Sequence, residues 1–155
     1  MKTLILFGLF AFGYCQFHRT ISSSEFGKTY FLSNQGIDFY EAKKLCESTG
    51  AKLVQPRSQA EVDYLDRIVI YERLDVWIGA EPGVYEIPTK FLGGEKIKWT
   101  NWLPSLTDNP QHHPIKDCTA LTLVRSIGIL SSRPLRKWSH AYCFTRNKVV
   151  CEKSN

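Results

Sequence analysis

The chain has 155 residues, which suits a single domain, and its 43% hydrophobic and 13% aromatic content is typical of a globular protein rather than a disordered one. A formal net charge of +5 is mildly basic. That charge is compatible with acidic partners but is far from the composition of a nucleic-acid-binding protein, so we exclude that class.

Residues 1–15 are predicted to be a secretory signal peptide. Lys2 precedes an apolar run that ends in small residues and is too short to span a bilayer. Cleavage after Cys15 leaves an even number of cysteines, which in a secreted chain implies two disulfides with three possible connectivities. These cysteines are Cys46, Cys118, Cys143 and Cys151. No second long apolar run follows, so we expect an extracellular protein without a membrane span.

The segment after the signal peptide, 16–27, is polar and serine-rich, and we expect a loose N-terminal arm. Residues 28–33 have the β-branched and aromatic bias of a first strand.

Two helices follow, and both begin at a capping-box spacing. Asp38 stands three residues before Glu41, and Ser58 stands three residues before Glu61. Gly50 is predicted to end the first helix. Their apolar faces contain Phe39, Ala42 and Cys46 in the first helix and Val62, Leu65 and Ile68 or Val69 in the second.

The second half of the chain is predicted to be strand-rich. The run 76–80 indicates a buried strand, in which Gly79 lets another backbone approach Trp77 closely. Further strands are predicted at 96–102, 118–124, 137–144 and 148–152, with a long loop between 103 and 116. Helices that precede short strands favour the α+β class.

The order of these features resembles that of the C-type lectin-like domain over residues 28–153, and we take 28–155 as one such domain. The features are Tyr30-Phe31, Ala42, Cys46, Gly50-Ala51-Lys52-Leu53, Glu61, Trp77-Ile78-Gly79, Trp99, Trp102, Cys118, Trp138, Cys143 and Val150-Cys151-Glu152. The resemblance is to secreted, single-domain, short-form lectins of invertebrates. It implies two helices flanking small antiparallel sheets, a long loop region, and disulfides Cys46–Cys151 and Cys118–Cys143. It also implies recognition of microbial or host surfaces, as in innate immunity.

Sugar-binding members of this family hold a calcium ion, whose usual ligands are largely replaced in this chain. The acid or amide on each side of a proline corresponds to the neutral pair Asn109 and Gln111, the glutamate position is Lys116, and the Asn-Asp pair is Ser139-His140. Calcium needs six to eight oxygens, several of them charged. We therefore expect no calcium and no other cofactor. The residues left for a weak site are Glu86, Asp108 and Asp117.

Other metal chemistry and catalysis have weaker signals. His112, His113 and His140 with Asp117 suggest a transition-metal site, but adjacent histidines of an extended chain point in opposite directions. Ser139-His140 lacks a readable third group. We predict no enzyme, with a metal-dependent hydrolase as a distant alternative.

A basic cluster flanks the loop between the last strands and favours a glycan or a polyanionic surface as partner, since guanidinium groups match sulfate and phosphate. Trp102 is a candidate stacking face, and a solubilising surface is the alternative interpretation of the cluster. The predicted ligand-binding residues are Asn109, Gln111, Lys116, Arg125, Arg133, Arg136, Lys137 and His140. The alternative function is a protein-interaction subunit that forms a homo- or heterodimer through the long loop, as venom and salivary relatives do.

Overall fold

A computed structural model describes residues 17–69, 74–83, 87–103, 118–124 and 135–155. The predicted signal peptide and most of the predicted long loop lie outside these ranges. The helices are α1 (Phe39–Ser48) and α2 (Gln59–Ile68). The strands are β1 (Phe17–Ser23), β2 (Lys28–Ser33), β3 (Lys52–Leu53), β4 (Val76–Trp77), β5 (Cys118–Val124), β6 (Leu135–Ala141) and β7 (Val150–Ser154).

The strands form two antiparallel sheets. The first has the order β1-β2-β7-β3 and the second the order β4-β5-β6. The α+β prediction, with two helices and small antiparallel sheets, is confirmed. Among the described residues, no helix is both long enough and apolar enough to cross a membrane.

Both helices begin where the capping signals predicted. The Asp38 carboxylate accepts a hydrogen bond from the Glu41 backbone N–H at 2.8 Å, and the Ser58 hydroxyl accepts one from the Glu61 N–H at 3.2 Å. Gly50 follows α1 with a φ of +67°, a conformation that glycine adopts without a steric penalty.

Two sequence predictions were wrong. The segment 16–27 is not a loose arm, because its residues Phe17–Ser23 form the edge strand β1 on β2, with the ring of Phe17 packed on that of Phe31 at 5.8 Å. The segment 96–102 is not a regular strand, because the bridges that its two ends make lead to different partners, Lys90 and Trp138.

The β4 strand lies at the centre of the packing. Trp77 is fully buried, and its indole N–H donates to the Ile37 carbonyl at 2.8 Å. A Cβ atom on Gly79 would lie 2.7 Å from the Leu53 carbonyl oxygen. The close backbone approach predicted at this glycine is therefore present, and any side chain there would force the backbones apart.

Two disulfides join distant parts of the chain, with the pairing that the family resemblance implied. Cys46–Cys151 connects α1 to β7 across a sequence separation of 105 residues, and a loop of that size contributes about 4–5 kcal/mol on chain-entropy arguments. Cys118–Cys143 joins the start of β5 to the segment after β6.

A buried cluster of charges connects β2, α2 and β7. The Lys28 ammonium contacts the carboxylate of Glu61 and lies 2.9 Å from that of Glu152. Glu61 also accepts from the Tyr30 hydroxyl at 3.0 Å, and Glu152 from the Gln55 N–H at 3.1 Å. Burial raises the pKa of Glu152, and Lys28 opposes that rise.

We predict that Lys28→Ala lowers the free energy of unfolding by about 3–5 kcal/mol, because it removes the buried cation that two buried carboxylates share. Lys43→Ala is the control, since Lys43 is 43% exposed and pairs with Glu47 at 3.9 Å on the surface. The control should lose less than about 1 kcal/mol. Urea unfolding measures both values, and equal losses would contradict the role of the cluster.

The stability of the Lys28→Ala variant should depend on pH. Without Lys28 the pKa of Glu152 rises further, and a carboxyl whose folded pKa exceeds its unfolded value destabilises the fold only when ionised. The penalty is absent below the unfolded pKa of about 4.3 and grows as the pH rises through the folded value. The deficit of Lys28→Ala relative to the wild type should therefore be larger at neutral pH than at about pH 4. A deficit that stays constant over this range would indicate lost packing instead.

Candidate functional site

Three of the eight predicted ligand-binding residues lie on β6, namely Arg136, Lys137 and His140. The other five are outside the described residues, as are all three candidates for a weak calcium site. The five are Asn109, Gln111, Lys116, Arg125 and Arg133. The described part of the site is therefore β6, the strand β5 beside it, and the segment that leads into the predicted long loop.

The alternation of β6 separates its polar residues between two faces. Arg136, Trp138 and His140 share one face, and Lys137 and Ser139 share the other, because successive side chains of a strand point in opposite directions. Lys137 pairs with Thr122 of β5. Two cations adjacent in the sequence thus do not lie side by side on one surface.

Arg136 is buried, which argues against its predicted role as an exposed ligand-binding residue. It is only 2% exposed, and its guanidinium donates to the Asp66 carboxylate at 3.0 Å and to the carbonyls of Leu74 and Leu121 at 3.4 and 3.3 Å. These contacts join β6 to α2 and to the segment before β4. The buried guanidinium is satisfied by the fold itself.

Trp102 is half-buried and does not offer a free stacking face. Its ring is stacked on the imidazole of His140, with centroids 4.8 Å apart and planes 26° apart, and it meets Trp138 edge-on at 5.6 Å. His140 is therefore in contact with the residue that precedes the predicted long loop.

Ser139 is buried and belongs to a chain of hydroxyl groups. Its hydroxyl is hydrogen-bonded to that of Thr122, which donates to the Asp75 carboxylate at 2.9 Å. Because Ser139 and His140 point to opposite faces of β6, they do not form a nucleophile–base pair. Sequence reasoning missed this hydroxyl chain. The one local signal for it was the presence of Thr122 in the predicted strand 118–124.

By the family resemblance, Ser139 and His140 correspond to an Asn-Asp pair of sugar-binding members. In this structure the Ser139 hydroxyl is bonded to that of Thr122, and the His140 ring is stacked on Trp102. Within the described ranges, no three histidine, cysteine, aspartate or glutamate side chains are grouped so that they could hold a metal ion.

Comparison with known proteins places this arrangement in a family. Residues 35–153 match the Lectin C-type domain. The chain belongs to the C-type lectin domain family. The predicted resemblance to the C-type lectin-like domain is thereby confirmed, and the family consists of binding domains rather than enzymes.

Two curated proteins illustrate the range of this C-type lectin domain's relatives. A snaclec salmorin subunit from Gloydius brevicauda is 27% identical over 135 residues, which are 81% of this chain and 77% of that protein. The secretory phospholipase A2 receptor of Bos taurus is 29% identical over 117 residues, but these are only 8% of its length.

Solved structures share the fold of this C-type lectin domain. The carbohydrate-recognition domain of the human scavenger receptor C-type lectin has a TM-score of 0.68 at 24% identity, covering 88% of this chain and 96% of its own. The C-type lectin domain of murine dendritic cell inhibitory receptor 2, solved in complex with an N-glycan, has a TM-score of 0.68 at 16% identity, with the same coverage of both chains.

Arg136→Ala should lower the free energy of unfolding by about 2–3 kcal/mol, because Asp66 and two carbonyl groups lose their buried donor. Its neighbour Lys137 is the matched control, since Lys137→Ala removes a half-exposed cation and should change stability by no more than about 0.5 kcal/mol. Chemical denaturation of the two variants measures the difference. An undestabilised Arg136→Ala variant would return this arginine to the list of ligand-binding candidates.

Proposed function

We propose that this C-type lectin domain recognises glycans or other anionic polymers of microbial or host surfaces, and that it does so without calcium. The structure of a C-type lectin domain with the same fold in complex with an N-glycan supports carbohydrate as the ligand class. The observation that carries the proposal is the state of Ser139 and His140, which contact the fold where the ion's ligands would stand.

Loss of the ion changes which ligands the surface favours. Neutral sugar hydroxyls then lack their strongest anchor, whereas sulfate, phosphate and carboxylate groups still find cations. With Arg136 buried, the cations assigned to this role are Lys137 on β6 and, from the sequence, Lys116, Arg125 and Arg133. The net charge of +5 favours the same class of ligand.

Secretion is part of the proposal. The predicted signal peptide supports it, and so do the two disulfides, because such bonds form and persist in oxidising compartments. A role in innate recognition follows from this location and from the proposed ligand.

The second candidate is a protein-interaction subunit that forms a homo- or heterodimer through the long loop. It is favoured by the snaclec salmorin relative, whose own name describes it as a subunit. Gel filtration with chemical cross-linking separates the two candidates. A chain that runs as a monomer and binds a glycan supports the first, and a stable dimer without glycan binding supports the second.

We predict that the melting temperature is the same in millimolar calcium and in chelator, because a ligand that is not bound cannot stabilise the fold. Differential scanning calorimetry measures this directly, and a glycan array with and without chelator tests the functional side. A rise of several degrees in calcium, or glycan binding that the chelator abolishes, would show that Glu86, Asp108 and Asp117 form a calcium site.

We also predict retention on heparin at physiological salt, and its loss in the triple variant Arg125→Ala, Arg133→Ala, Lys137→Ala. The matched control is Lys96→Ala with Lys98→Ala, which removes exposed cations from another segment and should elute like the wild type. Elution of the wild type below about 0.15 M salt, where the screening length is about 8 Å, would show that the cluster is only a solvated surface.

A further inference from the structure

Three exposed aromatic side chains lie where the start of α1 meets the turn after β6. Tyr40 is 46% exposed, Tyr142 is 42% exposed and Phe144 is 75% exposed, which makes Phe144 the most exposed large hydrophobic side chain in the described part of the chain. The rings of Tyr40 and Phe144 touch, with centroids 5.9 Å apart. We call these three residues the aromatic turn surface.

This surface is held rigidly in its exposed position. The Phe39 N–H donates to the Cys143 carbonyl at 2.8 Å, and the Thr145 N–H closes the turn on the Tyr142 carbonyl at 2.9 Å. Cys143 is fixed by its disulfide to Cys118. Because each exposed aromatic residue is adjacent to a buried and anchored one, the rings cannot withdraw into the core by a local rearrangement.

Cations lie beside the aromatic rings on the helix. Residues three, four and seven positions after Tyr40 share its face of α1, and these are Lys43, Lys44 and Glu47. Lys43 and Glu47 form a loose pair at 3.9 Å, so Lys44 is left as the excess charge of this face. The acid next to Tyr40, Glu41, points about 100° away around the helix.

Two further cations, Arg146 and Lys148, follow Phe144 in the chain. Arg146 is exposed and donates to the Gly36 carbonyl at 3.0 Å, and Lys148 donates to the Asn34 carbonyl at 2.9 Å. Segment 142–148 contains no acid. This region therefore combines a protruding apolar side chain, two amphipathic tyrosines and the cations Lys44, Arg146 and Lys148, while the nearby acid Asp38 is engaged as the N-cap of α1.

We propose that the aromatic turn surface binds lipid membranes that carry anionic headgroups. Phe144 inserts below the headgroups, the tyrosine rings lie at their level with the hydroxyl groups in water, and Lys44, Arg146 and Lys148 contact the lipid phosphates. This activity goes beyond the proposed glycan recognition and uses other residues.

A second copy of the chain fits the surface less well. A two-fold axis through the aromatic residues would bring the same surface of the partner opposite, so the cations on each side would meet cations. A small ligand that binds in a pocket also fits this surface less well, because the highly exposed Phe144 side chain protrudes and forms no cavity.

The test is sedimentation with vesicles of phosphatidylcholine alone and of an equal mixture of phosphatidylcholine and phosphatidylglycerol. The wild type should bind the mixed vesicles, and Phe144→Ser should bind them at least about tenfold more weakly, as expected when a large apolar side chain no longer leaves water. Lys44→Gln should bind the mixed vesicles about fivefold more weakly, because one cation contributes about that much affinity at an anionic surface. The matched control is Ile87→Ser, another exposed apolar residue, which should bind like the wild type.

Fluorescence gives a second, independent measurement. In Phe144→Trp the new indole should shift its emission to shorter wavelength when mixed vesicles are added, relative to the wild type treated in the same way. The wild type measures the background from the four native tryptophans, of which Trp77 and Trp138 are fully buried and Trp99 and Trp102 are partly buried. Unchanged melting temperatures of the Phe144 variants, expected from their exposure, show that the fold is intact.

Several outcomes would overturn the proposal. In the sedimentation test, these are equal vesicle binding by the wild type and Phe144→Ser, and equal binding of the wild type to neutral and anionic vesicles. In the fluorescence test, it is the absence of an emission shift in Phe144→Trp. A further one is a wild type that forms a dimer and binds no vesicles, with Phe144→Ser dissociating that dimer. Heparin retention distinguishes this proposal from glycan recognition, because Phe144→Ser should leave it unchanged. Likewise, Lys137→Ala should leave vesicle binding unchanged.

Discussion

The contact between Lys28 and the carboxylates of Glu61 and Glu152 organises the first sheet and the helix packed beside it. The three side chains come from β2, α2 and β7, and none is accessible enough for water to solvate its charge. Their burial is tolerated because each charge has partners, and Glu152 has two more cations nearby, Arg57 at 3.5 Å and Lys52 at 3.9 Å. The cluster thus favours the single arrangement in which a strand near the start of the chain lies beside the last strand.

β7 is held in this position from both of its faces. Successive residues Cys151 and Glu152 point in opposite directions, so the disulfide to α1 lies on one side and the charge cluster on the other. A covalent bond and an ion pair therefore hold the same strand against two different elements. The first sheet is therefore held rigidly and supports the second sheet and its loops.

The second sheet uses several polar residues for packing. Arg136 connects β6 to α2, Ser139 joins a hydroxyl chain that ends at Asp75, and His140 covers Trp102. These contacts stabilise the entrance to the long loop without a metal ion. Under the proposed function, ligand recognition involves the outward cation Lys137 and the loops, and the disulfide from Cys118 to Cys143 joins β5 to the turn that carries the aromatic turn surface.

The sequence by itself determined the features whose signals are local. The capping pairs located the starts of both helices, and the strand-favouring residue types located β2 and β5 with the bounds observed, because each signal involves residues only a few positions apart. The ends of β6 and β7 were each displaced by two or three residues, since strand ends depend on the neighbouring strand. The order of cysteines, tryptophans and glycine identified the family.

Only the tertiary structure decided which polar residues face water. A serine-rich segment became β1 because β2 offered it an open edge, and an arginine in a basic cluster became a core residue because Asp66, 70 positions earlier, and two carbonyl groups converge on it. Nothing in the residues next to Arg136 encodes those partners. The burial of a charge depends on groups brought together from distant parts of the chain, and local patterns of hydrophobicity contain no information about them.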